Sequence, residues 1–551
     1  MNHKCQVILR LMESNPTALH MRSVSKKIIH DSPPPICLLD TLGKVYEGIL
    51  NHRLNIELEE KNILSDNQFG FRKKKSTVHA IQAVVALAKE EMNKNYRKRK
   101  LCIMITLDIK NAFNSAPWVE IVRALKRCGI SKYLVDLIQD YLSEREIVGE
   151  TFTKSMTAGV PQGSLSGPSL WKILYNDVLE IPVPEDVFLV AYADDLSVLV
   201  KGIDEETLEQ KAQVTLNRIE AWMLDRGLTI APEKSEMIAL IGRKKCRPLN
   251  IQINGNRICE KPNIKYLGVI LDKSLRFGAH MDHVASKAAR VTTALSRIMP
   301  RIGGPGEQKR RVLQTAADSV MLYAAPVWAD CLCIKKRRTA ILRAQRPGLI
   351  RVCCAYRTVS TDALAVISAV IPLDLMLEER SLTFQETKEG KERVRCTTLC
   401  KWETRWRDSD KGRWTKRLIQ EVEPWFRRNH GEIGYYLTQV ISGHGCFNFY
   451  KHRFKISVTN TCTYCPEVDT AEHTIFECIK WDEERNELRQ DLGEALTPDN
   501  MVPLMLSNIN TWDLIVKYIN QIMETKTSEE RARENGNRRQ CNGRAHHSTQ
   551  P

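Results

Sequence analysis

Val187-Phe188-Leu189-Val190-Ala191-Tyr192-Ala193-Asp194-Asp195-Leu196-Ser197-Val198-Leu199-Val200 sets two adjacent carboxylates between two apolar runs. Short apolar runs of this kind read as buried strands, and the acidic pair between them reads as the tip of their hairpin. Two such charges side by side raise one another's pKa, and desolvation adds to the cost. A bound divalent cation removes both penalties. Magnesium favours carboxylate and phosphate oxygens together, which suits nucleotidyl transfer. Taken alone, an Asp-Asp turn is more often a solvated loop tip. The apolar flanks argue against that here.

A third carboxylate strengthens the reading. Cys102-Ile103-Met104-Ile105-Thr106-Leu107-Asp108 is another apolar strand that ends in an acid. If this strand lies beside the hairpin, Asp108 joins Asp194 in holding two ions. Such a pair activates a 3′-hydroxyl and stabilises a leaving pyrophosphate.

Around these strands the pattern alternates between helix and strand. Helical spacing runs over Ile36–Leu58 and Thr77–Met92, and Ser131 caps a helix carrying Leu134, Leu137, Ile138, Tyr141 and Leu142. A Gly-rich turn, Gly159–Pro168, leads into another helix. A long helix over Asp204–Arg226 stops at Gly227. Asn254-Gly255 joins two short strands as a hairpin turn, and Ile264–Leu271 reads as one further strand. Beyond about residue 275 the pattern is helical, and from Glu524 onward charge, Asn and Gly predict disorder.

The chain has 551 residues, with 82 Lys and Arg against 66 Asp and Glu, a net charge of +16. That excess suits a polyanion, because each neutralised phosphate releases counterions. Seventeen cysteines without an even framework indicate a reducing compartment. No apolar run reaches the ~20 residues of a membrane span. The chain therefore reads as soluble and intracellular, without a membrane partner. Tyr96-Arg97-Lys98-Arg99-Lys100 and Lys335-Lys336-Arg337-Arg338 are either nuclear-import signals or phosphate-contacting patches, and the nucleus is the expected location.

Cys462-x2-Cys465-x7-His473-x4-Cys478 offers three thiolates and an imidazole, the ligand set of a tetrahedral zinc. With every ligand supplied by protein, that zinc is structural. Nearby Trp481, Phe447, Phe449, Tyr450, Lys451 and Arg453 suit either single-strand stacking or a small core.

Several of these segments resemble the motifs of reverse transcriptases. Leu107-Asp108-Ile109-Lys110-Asn111-Ala112-Phe113 looks like their first metal motif, and Tyr192-Ala193-Asp194-Asp195 like the second. Gly159-Val160-Pro161-Gln162-Gly163-Ser164-Leu165-Ser166-Gly167-Pro168 resembles their template and nucleotide loop. The Lys234 region, Tyr266-Leu267-Gly268, and Gln68-Phe69-Gly70-Phe71-Arg72 follow the same order. The wording is most similar to non-LTR (LINE-type) retrotransposons, in particular the arthropod type-1 lineage that inserts into ribosomal DNA.

By that resemblance, Asp108, Asp194 and Asp195 coordinate two magnesium ions with help from the Ile109 carbonyl. The amides of Asn111 and Ala112 face the triphosphate, which Arg72 binds. Phe113 excludes a 2′-hydroxyl, Gln162 lies beside the incoming nucleotide, and Lys234 donates a proton to pyrophosphate. Tyr266, Leu267 and Gly268 grip the primer end. The related polymerases carry a similar knuckle after the thumb.

The expected architecture is α+β, a right-hand polymerase with a mainly helical C-terminal region carrying a zinc knuckle. Its parts are an irregular 1–30, shortened fingers at 31–100, palm at 101–272 and helical thumb at 273–390. A helical region at 391–523 then bears the knuckle at 462–478, before a disordered 524–551. The expected function is RNA-directed DNA polymerase of a non-LTR retrotransposon, acting on RNA template, DNA primer and deoxynucleoside triphosphates. Nothing before Ile36 resembles the endonuclease of full-length relatives. The rival readings are a catalytically inactive nucleic-acid-binding relic and a DNA-templated polymerase with the same palm.

Overall fold

The computed structural model describes residues 41–148, 153–161, 163–241 and 247–545. The expected irregular 1–30, the start of the expected helix at Ile36 and Gln162 lie outside them. The chain divides into two compact units, 1–279 and 280–551.

The first unit is built on a four-stranded antiparallel sheet. In chain order its elements begin with α1 (Thr41–Glu60), α2 (Thr77–Met92), β1 (Leu101–Leu107), α3 (Ala112–Ser115), α4 (Trp118–Arg127) and α5 (Lys132–Leu142). A small hairpin, β2 (Glu146–Val148) and β3 (Thr153–Ser155), follows, then α6 (Gly167–Asn176), β4 (Val187–Tyr192), β5 (Asp195–Gly202) and α7 (Glu205–Asp225). The unit closes with β6 (Glu236–Ile241), β7 (Gln252–Ile253), β8 (Asn256–Arg257), β9 (Asn263–Tyr266) and β10 (Val269–Asp272). The sheet order is β4-β5-β1-β6.

Strand β1 is interior to the sheet and apolar at every position but Thr106 because both of its faces are covered. Ile103, Ile105 and Leu107 join a large core with Val198, Val200, Leu216 and Ile219, residues of β5 and α7. Helix α2 packs against β1, β4 and β6. Ser76 caps α2 through its hydroxyl, and Asp204 caps α7 by accepting from Thr207 N.

Two features of this unit depart from the sequence reading. Ile264–Leu271 is not one strand but the β9–β10 hairpin, turned at Leu267 (φ 44°) and Gly268 (φ 84°). A leucine at positive φ is uncommon, and alternation across a two-residue turn looks like a continuous strand in sequence. Strand β6 pairs along β1 from Thr106 to Cys102 and carries no separate sequence signal beyond its apolar run. The Asn254-Gly255 turn forms as expected between β7 and β8, with φ 49° and 73°.

The second unit is helical: α8 (Gly278–Ser296, entering from the first unit), α9 (Glu307–Leu322), α10 (Ala325–Trp328), α11 (Lys335–Val352), α12 (Thr361–Ile367), α13 (Leu373–Leu382) and α14 (Lys388–Asp408). It continues through α15 (Arg413–Leu418), α16 (Val422–Arg427), α17 (Tyr435–Ser442), α18 (Asn448–Arg453), α19 (Asp482–Leu492), α20 (Met501–Ser507) and α21 (Ile509–Ala545). One core runs from Leu349 to Met523 and takes in Trp402, Trp406, Trp425, Trp481 and Trp512. Helix α14 runs across the expected 390/391 boundary.

The tail also departs from expectation. Helix α21 continues through 524–545, where charge had suggested disorder. The start of that stretch is anchored by a buried lysine: Lys526 Nζ binds Asp469 Oδ1 at 2.5 Å and Thr474 Oγ1 at 3.0 Å. Glu529 pairs with Arg533 one turn on, at 3.0 Å.

Candidate active site

The register of the sheet brings the three aspartates together. Leu107 pairs with Leu196, and Tyr192 with Asp195, so Asp108 emerges beside the start of β5 and the tip of the β4–β5 hairpin. Backbone bonds fix the exit from β1: Ala231 N donates to Asp108 O and Lys110 N to Thr229 O, each at 2.8 Å. Buried Ile109 lies between them, and its carbonyl is outside that pair of bonds.

The charges feel one another. Burial, then the charges of Asp194 and Asp108, push the Asp195 carboxyl up to about 6. Burial and Asp108 also raise Asp194. Tyr175, wholly buried, is raised by burial and then by all three carboxylates. A divalent cation would relieve this repulsion, so the residues fit such a group. Among the described residues only the Cys/His cluster has all its ligand atoms within 4.8 Å of one another.

The hairpin tip is strained and supported. Ala193 has φ 57° at the first position of a two-residue turn, where glycine is usual. Trp171 Nε1 donates to Ala193 O at 3.1 Å. Gly70 abuts the same residue; a Cβ there would fall 2.1 Å from Ala193 N. The segment Asn67–Phe69 runs along the outer edge of β4, with Phe69 N donating to Ala191 O at 2.8 Å and Ala191 N to Asn67 O at 3.0 Å.

Phe113 is half-buried, its ring stacked on Trp171 at 5.5 Å and edge-on to Phe71 at 6.2 Å. Asn111, at φ 52°, begins α3, and Ala112 is buried behind it. The loop that carries Gln162 is moored to α3: Val160 N donates to Phe113 O, and Gly159 N to Ala116 O, both at 2.7 Å. Lys234 Nζ lies 3.4 Å from Asp108 Oδ2 on a largely exposed side chain. Tyr266 is buried, and burial raises its phenol, with Ser197 beside it and the Asp195 charge adding to the shift.

Arg72 turns partly inward, with Nη1 donating to Ser65 O at 2.5 Å and to Gln68 O at 3.4 Å. Lys172 and Trp171, neighbours on α6, escaped the sequence reading. Buried Lys172 donates to Asn55 Oδ1 at 3.0 Å and Phe71 O at 3.3 Å, and burial, with the Arg72 charge, lowers it to about 8. The available signal was a lysine inside an otherwise apolar helical stripe.

In the second unit the four cluster residues converge as well. A tetrahedral zinc with ~2.3 Å bonds to sulfur separates two thiolates by about 3.8 Å. Cys462 Sγ and Cys478 Sγ stand 3.8 Å apart, and Cys465 Sγ lies 3.1 Å from His473 Nε2. Burial and the neighbouring thiols push Cys478 up to about 12, a repulsion that a dication would remove. Trp481 and Phe447 are core residues here, which settles their role against stacking.

The family model for reverse transcriptase (RNA-dependent DNA polymerase) matches residues 25–271, the unit that holds the aspartates. This segment is a reverse transcriptase domain. The chain is 29% identical over 481 residues to the Pol polyprotein of type-1 retrotransposable element R1 from Bradysia coprophila, covering 82% of this chain and 47% of that one. It is 24% identical to the R1 2 Pol polyprotein of Nasonia vitripennis, over 68% of this chain and 98% of that one. It is 30% identical to the RNA-directed DNA polymerase from mobile element jockey of Drosophila melanogaster, over 48% and 30%. The chain spans about half the length of the Bradysia relative. Among solved structures, apo telomerase from Candida tropicalis aligns with TM-score 0.33 and 12% identity over 64% of this chain and 60% of that one. The resemblance to non-LTR retrotransposon reverse transcriptases thus extends well beyond the motifs. Among the described residues no helix is long and apolar enough to cross a membrane.

Proposed function

We propose that the chain adds deoxynucleotides to a primer 3′-hydroxyl under the direction of an RNA template, as a non-LTR retrotransposon polymerase. The observation that carries this reading is the register that brings Asp108 beside Asp194-Asp195. A pair of magnesium ions held by Asp108, Asp194, Asp195 and the Ile109 carbonyl would stabilise charge on the attacking and leaving oxygens.

The remaining work is positioning. Asn111 and Ala112 present backbone amides to the triphosphate, with Arg72 contributing the part of its guanidinium not bonded to its own loop. Phe113, held by Trp171 and Phe71, forms a rigid floor under the sugar and rejects a 2′-hydroxyl. Gln162 lies beside the nucleotide. Lys234, already paired with Asp108, supplies a proton to pyrophosphate. The β9–β10 turn, Tyr266-Leu267-Gly268, grips the primer end.

In this reading fingers, palm and thumb occupy about 31–100, 101–272 and 273–390, and the Cys/His cluster holds a structural zinc as a knuckle. The site of action is the nucleus. Primer extension with magnesium on matched RNA and DNA templates tests the proposal. The expected result is extension favouring RNA, abolished in Asp195→Ala. Full activity in that variant refutes the chemistry. Tight, salt-sensitive binding by a wild type without extension means a binding relic instead.

A further inference from the structure

In the second unit a cleft of about 480 Å³ is lined by Arg301, Arg351, Tyr356, Arg357, Thr358 and Tyr450. Its size falls within the ~300–1,000 Å³ usual for ligand sites. Among the described residues no carboxylate lines it and none of its three arginines is ion-paired. We infer that this cleft binds a short run of single-stranded nucleic acid, independently of the polymerase reading.

Charge alone would fit any anion; the rings narrow the choice. Arg301 lies over the Tyr356 ring at 5.8 Å, Tyr356 meets Tyr450 at 5.8 Å, Tyr450 meets Phe454 at 5.0 Å, and Arg453 lies over Phe454 at 5.9 Å. Phe454 is 41% exposed, so this ladder of rings and guanidiniums opens to solvent at one end. Three rings in a row with a guanidinium at each end, the outer ring exposed and Tyr450 mostly buried behind it, suit bases that stack on the open end while their phosphates are neutralised. An acidic peptide has no flat face for the rings to meet.

The cleft is also built to hold its shape. Thr358 Oγ1 bridges Tyr450 Oη at 2.8 Å and His444 Nδ1 at 2.9 Å, and Tyr356 Oη bonds Tyr435 Oη at 2.9 Å. Arg346 Nη2 donates to Arg357 O and Val359 O, each at 2.6 Å, which pins the loop carrying Arg357 and Thr358. The polar ends of both tyrosines are thus tied down, and Arg357 is exposed at the cleft. Such preorganisation lowers the entropic cost of capture.

Fluorescence anisotropy of short fluorescein-labelled oligo-dT and oligo-rU with the full chain gives the test. Arg301→Ala with Arg357→Ala should weaken binding about tenfold and lower the salt slope by ~0.7 per lost phosphate contact. Unchanged affinity and slope overturn the inference, as does equal displacement of the oligonucleotide by polyglutamate. Photocrosslinking of 4-thiouridine oligomers to the unaltered protein guards against a variant that fails to fold. Adducts at Tyr356, Tyr450 or Phe454 support the cleft; adducts confined to the first unit refute it.

Discussion

Asp195 is the residue whose ionisation should be most visible in solution. Its folded pKa of about 6 lies above the ordinary carboxylate value of 3.8. Between those values the native state keeps a proton that the unfolded chain has lost, so metal-free stability falls as pH rises through that window. Melting temperature against pH in EDTA should show the decline, and Asp195→Asn should flatten it. Magnesium should restore stability above pH 6 and do less at pH 5, where protons compete. A melting curve indifferent to magnesium at pH 7 would contradict a metal site here. At the same scale, Trp171→Phe keeps the stack on Phe113 but leaves the Ala193 carbonyl without its donor. A lost buried hydrogen bond costs about 1–3 kcal/mol. We expect extension kcat to fall more than nucleotide KM rises, because the hairpin tip loosens while the sugar floor remains.

At the scale of elements, the contact between the Gln68–Arg72 segment and β4 determines whether the acidic turn keeps its shape. Gly70→Ala drives a Cβ into the Ala193 backbone, where no rotamer can relieve the clash. The substitution should cost at least ~1–3 kcal/mol and cut extension severely. Wild-type activity and stability in Gly70→Ala would show that this packing is dispensable. Much of the element pattern was readable without the fold: α2 begins and ends at the residues that periodicity marks and β1 within one residue of them, because apolar spacing is a local property. The β9–β10 hairpin was not readable, since its turn relies on Leu267 at a φ that leucine seldom adopts. Trp171 and Lys172 were missed, and Gly70 was quoted in its motif without a role, for a related reason. Their roles exist only through partners about twenty to more than a hundred residues away.

At the scale of the whole molecule, the second unit depends on its last helix and on the Cys/His cluster. Lys526→Ala strands Asp469, whose side chain is almost wholly buried. Breaking a buried pair costs about 3–5 kcal/mol, so this unit should melt earlier in calorimetry than in the unaltered chain. Truncation after Thr525 should do the same, and no loss in either would mean that the helix is incidental. One equivalent of zinc is expected by metal analysis. Its removal by a chelator, or Cys478→Ser, should lower the same transition and leave the magnesium response of the first unit in place.

From its residues alone the chain declares two acidic strand ends, a thiolate and imidazole spacing, a basic balance and an order of helices and strands. These are local facts, carried by neighbours within a few positions, and they suffice to point to the chemistry. The fold decides which distant groups meet. It sets Asp108 opposite Asp195, leans Gly70 and Trp171 on a strained alanine, and buries Lys526 of the last helix against Asp469. Three arginines and two tyrosines also share one cleft only once the chain has folded. Long-range pairing is selected by burial and hydrogen bonding across the whole core, and no window of sequence contains those partners together.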